Sequence, residues 1–440
     1  MTRTVCIGLL AAAFAGAAEP DWPRVEQHAL EFLQQYIRIA SVNPPGDTRA
    51  AAALFRSELE RNGLKPTLYP AGPNGQTNLV VRIPGRDRSK KPLLLMNHFD
   101  VVPVDPKAWP FDPFAALIRD GYIWGRGAYD MKGLGVQQLT ALITLHNIGV
   151  APSRDVVLLS TADEETDGTH GIKWMIAHHL SDIDSEYVLD EGGLGSREVL
   201  APNKLVFGVS VGEKQALWLR LVAKGTAGHG SQPIPDNANL ILLGAIQRAM
   251  ALPPATKPNA VIEQMRRAIG GQFAENKFTA AIQRNTISLT TLSSGVGSPP
   301  KANVIPSTAE ATLDCRLLPG VNVDEFESEM KARINDPRVT LERRNEPVDA
   351  AASRSDTPLF AAIRSAILKQ HPDAIVTPML VPFGTDSVKL RKRGVIAYGF
   401  TPMILDAATA ATMHSDRERI PVAEFKAGIR IYYDVLRSEI

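Results

Sequence analysis

Five short stretches of this chain collect side chains that can bind a cation or move a proton. His98-Phe99-Asp100 closes an apolar run that begins at Leu93. Residues two apart on a strand share a face, so an imidazole and a carboxylate arrive together. A metal-binding imidazole needs an acceptor on its second nitrogen, and Asp100 is placed to be one. Gly125 to Gly135 reads GRGAYDMKGLG. Its glycines allow tight turns and close backbone approach, and Asp130 in its middle is a carboxylate able to bridge two metals. The order GxxxxGK[ST] is absent, which excludes a phosphate loop. Asp163-Glu164-Glu165 follows VVLLST, a continuous apolar run of the kind found in buried parallel strands. There one carboxylate can bind metal while its neighbour acts as a general base. Asp190-Glu191 follows Tyr187-Val188-Leu189, and Met413-His414-Ser415 lies near the C-terminus.

Together, two imidazoles and three carboxylates make a mixed nitrogen and oxygen set suited to a pair of divalent, zinc-like ions. Two such ions carry four positive charges, which three carboxylates and one hydroxide balance. A lone zinc would leave carboxylates repelling one another. Apart from His229, the other histidines (His28, His146, His170, His178, His179, His371) fall on amphipathic or surface positions and read as ordinary.

The elements that must position these groups are legible from periodicity. Val25, Phe32, Leu33, Tyr36 and Ile37 recur at helical spacing, and Asn43-Pro44-Pro45-Gly46 breaks the pattern. A second helix covers roughly 48–62. Strands near 78–83, 93–98, 156–161 and 187–189 alternate with helices over 134–147 and 169–179. This is the α/β pattern of a largely parallel sheet flanked by helices, with ligands gathering at the carboxyl ends of its strands. Near residue 208 the pattern changes. Gln215–Ala223 alternates as a half-solvated strand, and helices over 237–252 and 323–334 with strands over 285–292, 308–317 and 338–343 read as an inserted α+β two-layer sandwich. Helices at 358–370 and 422–438 resume the first pattern. The expected division is a catalytic domain in two parts, 19–210 and 349–440, around an inserted lid or dimerisation domain, 211–348. A hinge is expected near 207–212 and 346–351, and 254–277 reads as an insertion able to shape the pocket.

The 440 residues are 44% hydrophobic and 22% charged, with 48 basic against 47 acidic side chains. A net charge of +1 without a basic stripe argues against a nucleic-acid partner. Arg3, the apolar run Val5–Ala15 and the small residues Ala15-Gly16-Ala17 predict a cleaved secretory signal over 1–18, and hence a periplasmic or secreted protein. That run is too short to span a membrane, as is every later apolar stretch. Cys6 lies within the leader, without a lipobox-like run before it. Cleavage leaves Cys315 alone, so no disulfide forms within the mature chain and packing must supply stability.

The residues resemble a known family. HFD at 98–100, GRGAYDMKG at 125–133, DEE at 163–165, GTAGHGSQP at 225–233, NVIP at 303–306, DCRLLPG at 314–320 and MHSDRER at 413–419 occur in the order of the co-catalytic zinc peptidases. These include aminoacylase, acetylornithine deacetylase, succinyl-diaminopimelate desuccinylase and carboxypeptidase S. The resemblance covers nearly all of the mature chain. RNTISLT at 284–290 and LDEGG at 189–193 look most like the branch of carboxypeptidase S and the secreted N-acyl amino acid hydrolases.

The resemblance implies a role for each position. His98 binds the first ion, Asp100 orients it, Asp130 bridges both ions, Glu164 is the general base, and Glu165 and His414 bind the second ion. The first ion's carboxylate is Asp190 or Glu191, one and not both, since adjacent strand residues face opposite ways; the choice between them stays open, leaning to Glu191. The ions are Zn²⁺, with Co²⁺ or Mn²⁺ as alternatives. A cis peptide is implied at Asp130–Met131. The implied reaction is hydroxide attack on an amide, the ions lowering the pKa of water toward ~7. His229, in the Gly228-His229-Gly230 turn, steadies the oxyanion across a homodimer of inserted domains; monomeric relatives keep the other assembly open. Most relatives have serine directly after this histidine, where here Gly230 precedes Ser231. Arg316 grips a substrate carboxylate by a bidentate pair, Asn303 holds a carbonyl or carboxylate, and Gly384 opens a loop of backbone donors. The substrates implied are small peptides or N-acyl amino acids cleaved beside a free carboxylate. The competing reading, an inactive solute-binding or dimeric scaffold, predicts a missing ligand or base, and each expected group is present. A serine hydrolase would need a GxSxG elbow, which is absent.

Overall fold

The computed structural model describes residues 19–253 and 259–440. The expected leader, with Cys6, lies outside the described residues, as does the start of the 254–277 insertion. Among the described residues no helix is long and apolar enough to cross a membrane.

The main sheet follows from strands that are apolar on both faces. In Leu93–His98, Leu93 and Leu95 enter one core while Leu94 and Met96 enter another on the opposite face. Val156–Thr161 and Tyr187–Asp190 divide in the same way. Each fully buried Leu or Val contributes roughly 1.5–3 kcal/mol, so a sheet of such strands must be covered on both sides. Helices Trp22–Ile37, Arg49–Arg61, Gly133–Asn147, Pro358–Gln370 and Val422–Leu436 cover one face. Helices Ile172–His178 and Ser387–Arg391 lie on the other.

The strand order is Thr67–Pro70, Thr77–Ile83, Val156–Thr161, Leu93–His98, Tyr187–Asp190, Ile396–Gly399, Val206–Glu213, Ile375–Val381, with Leu194–Ser196 pairing Val206–Glu213. The four central strands from Val156–Thr161 to Ile396–Gly399 run parallel. Antiparallel pairings flank them, so the sheet as a whole is mixed.

A second, antiparallel sheet of four strands has the order Thr286–Ser294, Thr308–Leu317, Gln215–Lys224, Val339–Arg343. Helices Ala238–Met250 and Val323–Ile334 cover one of its faces. Residues 260–282 lie within the expected inserted domain, 211–348, yet pack elsewhere. Ile262, Met265, Ile269, Phe273 and Ile282 share a core with Met379, Leu380 and Val381 of the main sheet.

The junction between the sheets differs from the expected hinge. Phe207–Gly212 lies inside the fully buried strand Val206–Glu213, held by ladder bonds. Only Lys214 separates this strand from Gln215–Lys224. The return crossing, 346–354, has no regular structure.

Candidate metal centre

Three neighbouring parallel strands end side by side. Leu93–His98 delivers His98 as its last residue, Val156–Thr161 leads into Asp163-Glu164-Glu165, and Tyr187–Asp190 leads into Glu191. The Gly-rich loop brings Asp130 from a fourth direction. Gly127 there has φ +85, and a Cβ would stand 2.7 Å from Val101 Cγ1, so only glycine fits. The Asp130–Met131 peptide is cis. His414 arrives with φ +61 and Asp163 with φ +92, positive values that are uncommon for non-glycine residues.

Asp130 lies between the two histidines. Its Oδ1 is 3.2 Å from His98 Nε2 and its Oδ2 is 2.9 Å from His414 Nε2. Glu191 Oε1 stands 3.7 Å from His98 Nε2, and Glu165 Oε1 stands 3.5 Å from His414 Nε2. Two triads result, His98-Asp130-Glu191 and Asp130-Glu165-His414, each with its ligand atoms within 4.8 Å of one another. Asp190 turns away. Its Oδ2 accepts from Ser387 Oγ at 2.7 Å and from the Ser387 N–H at 3.1 Å.

The electrostatics are those of too many buried carboxyl groups. Burial, then the charge of Asp130, pushes Glu165 up to about 7 and lifts Glu191 well above the carboxylate range. Burial also lifts Glu164, with Asp386 and Glu165 acting against His98. His414 rises to about 10: burial opposes its charge, but the Asp130 and Glu165 carboxylates beside its ring outweigh that. Asp130 is held low against its burial by the two imidazoles. Glu165 Oε1 is buried without a hydrogen-bond partner. Such a donor set, short of positive charge, fits divalent cations of the zinc type.

Asp100 acts differently from the expectation. His98 Nδ1 bonds the Asp100 main-chain carbonyl at 2.9 Å, while the Asp100 carboxylate lies 3.6 Å away. Asp100 lies two residues past the strand's last residue, so strict alternation no longer governs it. Its carboxylate, fully buried, accepts from the N–H groups of Asp163 (2.9 Å), Glu164 (3.2 Å) and Glu165 (3.1 Å), and from Asn43 Nδ2 (2.8 Å). It thus fixes the loop that carries the acidic pair.

Residues that sequence reasoning passed over complete the frame. Asn43, read only as a helix breaker, also donates to Asp163 Oδ1 at 2.9 Å. Glu418 accepts the N–H groups of Tyr129 and Asp130 at 2.9 and 3.0 Å and pairs with the buried Arg126 at 2.5 Å. The MHSDRER stretch contained Glu418, but nothing local linked it to Asp130.

The remaining expected residues lie on other elements, and among the described residues no hydrogen bond or ion pair joins them to the triads. His229 is exposed on a two-stranded ribbon pairing Gly228–His229 with Val304–Ile305. Asn303 precedes the second strand of that ribbon, and its carbonyl accepts the Gly230 N–H at 2.8 Å. Ser231 Oγ lies 2.7 Å from His229 Nδ1, so the serine reaches the ring despite the intervening glycine. Arg316 projects from the sheet face opposite the helices and forms a fork with Asp314 at 2.7 and 3.0 Å. Gly384 is exposed beside Thr385, whose N–H and Oγ1 bond Glu213 at 2.9 and 2.8 Å.

Comparison with known proteins gives the family and the fold. Residues 94–438 match the family described as Peptidase family M20/M25/M40. Aminoacylase-1 of Sus scrofa is 30% identical over 419 residues, 94% of this chain and 95% of that protein. The probable carboxypeptidase S-like 2 of Dictyostelium discoideum is 28% identical over 82% of this chain and 74% of its own length. A solved M20 family metallo-carboxypeptidase from Sulfolobus solfataricus matches with a TM-score of 0.72 at 20% identity, over 93% of this chain and 99% of that one.

Proposed function

Since the chain belongs to peptidase family M20/M25/M40, and so to a family of hydrolytic enzymes, we propose that it is a dinuclear metal-dependent hydrolase cleaving an amide bond next to a free carboxylate. The carrying observation is Asp130, whose two oxygens face two histidines, each with its own further carboxylate. His98, Asp130 and Glu191 would hold one divalent ion, and Asp130, Glu165 and His414 the other. When bound, ions of the zinc type supply Lewis-acid polarisation and make water acidic near neutral pH; Co²⁺ and Mn²⁺ suit the same donors.

The chain's own residues do the rest. Glu164, with its burial-raised affinity for protons, takes a proton from the attacking water and returns it to the leaving amine nitrogen. Arg316 spends one edge of its guanidinium on Asp314. That contact orients the group and leaves other N–H groups for a substrate carboxylate. Asn303 and His229 share one ribbon, so they move as a unit toward a substrate. In this reading His229 serves the site of a second subunit, through a homodimer of the inserted sheets. The substrates are small peptides or N-acyl amino acids.

A panel of dipeptides and N-acyl amino acids tests this. Turnover is expected, to be lost on chelation and restored by Zn²⁺, Co²⁺ or Mn²⁺. Glu164→Ala is expected to lower kcat by about 10²–10⁴-fold while keeping the ions. Turnover that survives complete chelation, or full activity in Glu164→Ala, would overturn the reading. For the dimer, mixing Glu164→Ala with His229→Ala protomers is expected to restore activity that neither has alone; no restoration counts against a shared site.

A further inference from the structure

A pocket of about 210 Å³ opens against Glu191. Leu134, Leu194, Phe278, Phe383 and Met413 line it. Three of its lining residues adjoin triad members in sequence: Tyr129 precedes Asp130, Gly192 follows Glu191 and Met413 precedes His414. A group seated there is therefore within a few bonds of whatever reacts at the centre. Phe278 comes from the segment 260–282, which packs back on the main sheet.

The walls are largely apolar, with Tyr129 and Thr401 the hydroxyl-bearing residues among them. Asn276 lines the pocket but its side chain is already used. Its Oδ1 accepts from the Phe278 and Thr279 N–H groups, both at 3.0 Å, and its Nδ2 donates to the Val199 carbonyl at 2.8 Å. Besides Glu191, the charged lining residue is Lys277, which is exposed. Apolar walls with few convergent polar groups select by burial of hydrocarbon.

We propose that this pocket receives an apolar arm of the substrate and that Phe278 and Phe383 set the length it accepts. The proposal rests on the amide-hydrolase reading above. The arm is an alkyl or aryl group, carried either by the acyl half or by the amino acid side chain.

The test uses two series on the metal-loaded protein. One is N-acylglycines from acetyl to dodecanoyl; the other is N-acetyl amino acids with side chains from Gly to Phe. In the series that fills the pocket, kcat/KM is expected to rise about fourfold per methylene until the space is full. Ala411, exposed on the rim, permits Ala411→Trp, which should move the optimum to shorter arms. Phe278→Ala should move it to longer ones. Calorimetry of N-decanoylglycine and N-acetylphenylalanine with the Glu164→Gln protein gives a second readout. The negative heat-capacity change that marks apolar burial is expected for one of them and diminished by Ala411→Trp. Turnover that is flat in both series, or optima that neither variant moves, overturns the pocket and leaves the hydrolase standing. Absence of turnover with every substrate, acetylglycine included, overturns both.

Discussion

Asp100→Asn separates two accounts of the carboxylate that follows the metal-side histidine. Asp100 Oδ1 accepts from the N–H groups of Asp163 and Glu164, and Oδ2 accepts from Glu165 N–H and Asn43 Nδ2. All four partners are donors, so the site needs an acceptor-only group. Asparagine keeps one oxygen and turns an NH₂ toward two donors. Asn43 cannot flip to relieve this, because its Nδ2 also donates to Asp163 Oδ1; the flip would set its oxygen against that carboxylate. Two hydrogen bonds to a charged group are lost, at about 1.5–3 kcal/mol each, so the expected loss of stability is about 3–6 kcal/mol. Thermal unfolding reads this as a fall of several degrees in Tm. The functional consequence is more specific. The loop of Glu164 and Glu165 loosens, while His98 keeps the main-chain carbonyl that holds its Nδ1. One ion, the one Glu165 and His414 would hold, should weaken, and kcat should fall about 10²-fold from displacement of the base. Metal titration against a competing chelator, followed as two steps, tests the split. Equal weakening of both steps, or of the His98 step alone, would refute the reasoning, as would an unchanged Tm.

Three further outcomes follow from the same geometry. In chelated protein, Glu165 and Asp190 are both raised to about 7, by burial first, from unfolded values near ~4. The folded state then holds extra protons between pH ~4 and ~7, so the stability these groups contribute is lost as pH rises through that window. Chelated protein should lose Tm from pH 5 to 7.5. Loaded protein should lose less, since binding displaces the Glu165 proton while Asp190, held by Ser387 outside both triads, keeps its own; a chelated protein that gains stability over this range contradicts the carboxylate burial. Glu418→Gln leaves the buried Arg126 without its counter-charge and should cost about 3–5 kcal/mol, read by differential scanning fluorimetry together with weaker ion retention. Arg316→Ala should raise KM by about 10–100-fold for substrates with a free carboxylate and leave carboxamide analogues unchanged; equal effects on both would remove the fork from recognition.

How far the sequence reaches can be judged from particular residues. Leu93 to Met96 alternates between two cores, so the continuous apolar run correctly implied a strand covered on both faces. The same rule said that Asp190 and Glu191 face opposite ways, but not which faces the centre. That is decided by Ser387, which captures Asp190 from far along the chain and leaves no local trace. Val206–Glu213 and Ile375–Val381 are strands that the periodicity did not mark. Gly208 stands where a Cβ would meet Met379 Sδ at 2.1 Å, a packing reason invisible to propensity. Pro378 argues against a strand, yet Ile375–Val381 lies at the sheet's end, where a missing N–H breaks no ladder. The first half of the expected hinge, 207–212, falls inside a strand for a related reason. A change of pattern near residue 208 was legible, but not the fact that the chain passes between sheets almost without leaving a strand.

That passage makes Lys214 the residue on which lid and centre depend. Glu213 before it holds Thr385 and pairs with the buried Arg391. Lys214 itself is buried, and its Nζ donates to the carbonyls of Ala281 (3.0 Å) and Arg284 (2.8 Å) and to Thr286 Oγ1 (2.9 Å). Two adjacent residues therefore tie the main sheet to the strand Thr286–Ser294, which pairs with the strand bearing Arg316. A lid that moves here must rotate about a cross-linked joint rather than a free loop. Lys214→Met keeps the apolar stem and leaves three acceptors without their donor, at about 1–3 kcal/mol for each that stays buried and unpaired. The expected result is faster amide exchange over 281–286 and at the end of strand Val206–Glu213. With it should come a loss of kcat/KM that is larger for carboxylate-bearing substrates than for their amides, because the carboxylate grip and the centre no longer keep register. Exchange unchanged at both places, with wild-type discrimination, would mean that the irregular return crossing at 346–354 governs the lid instead.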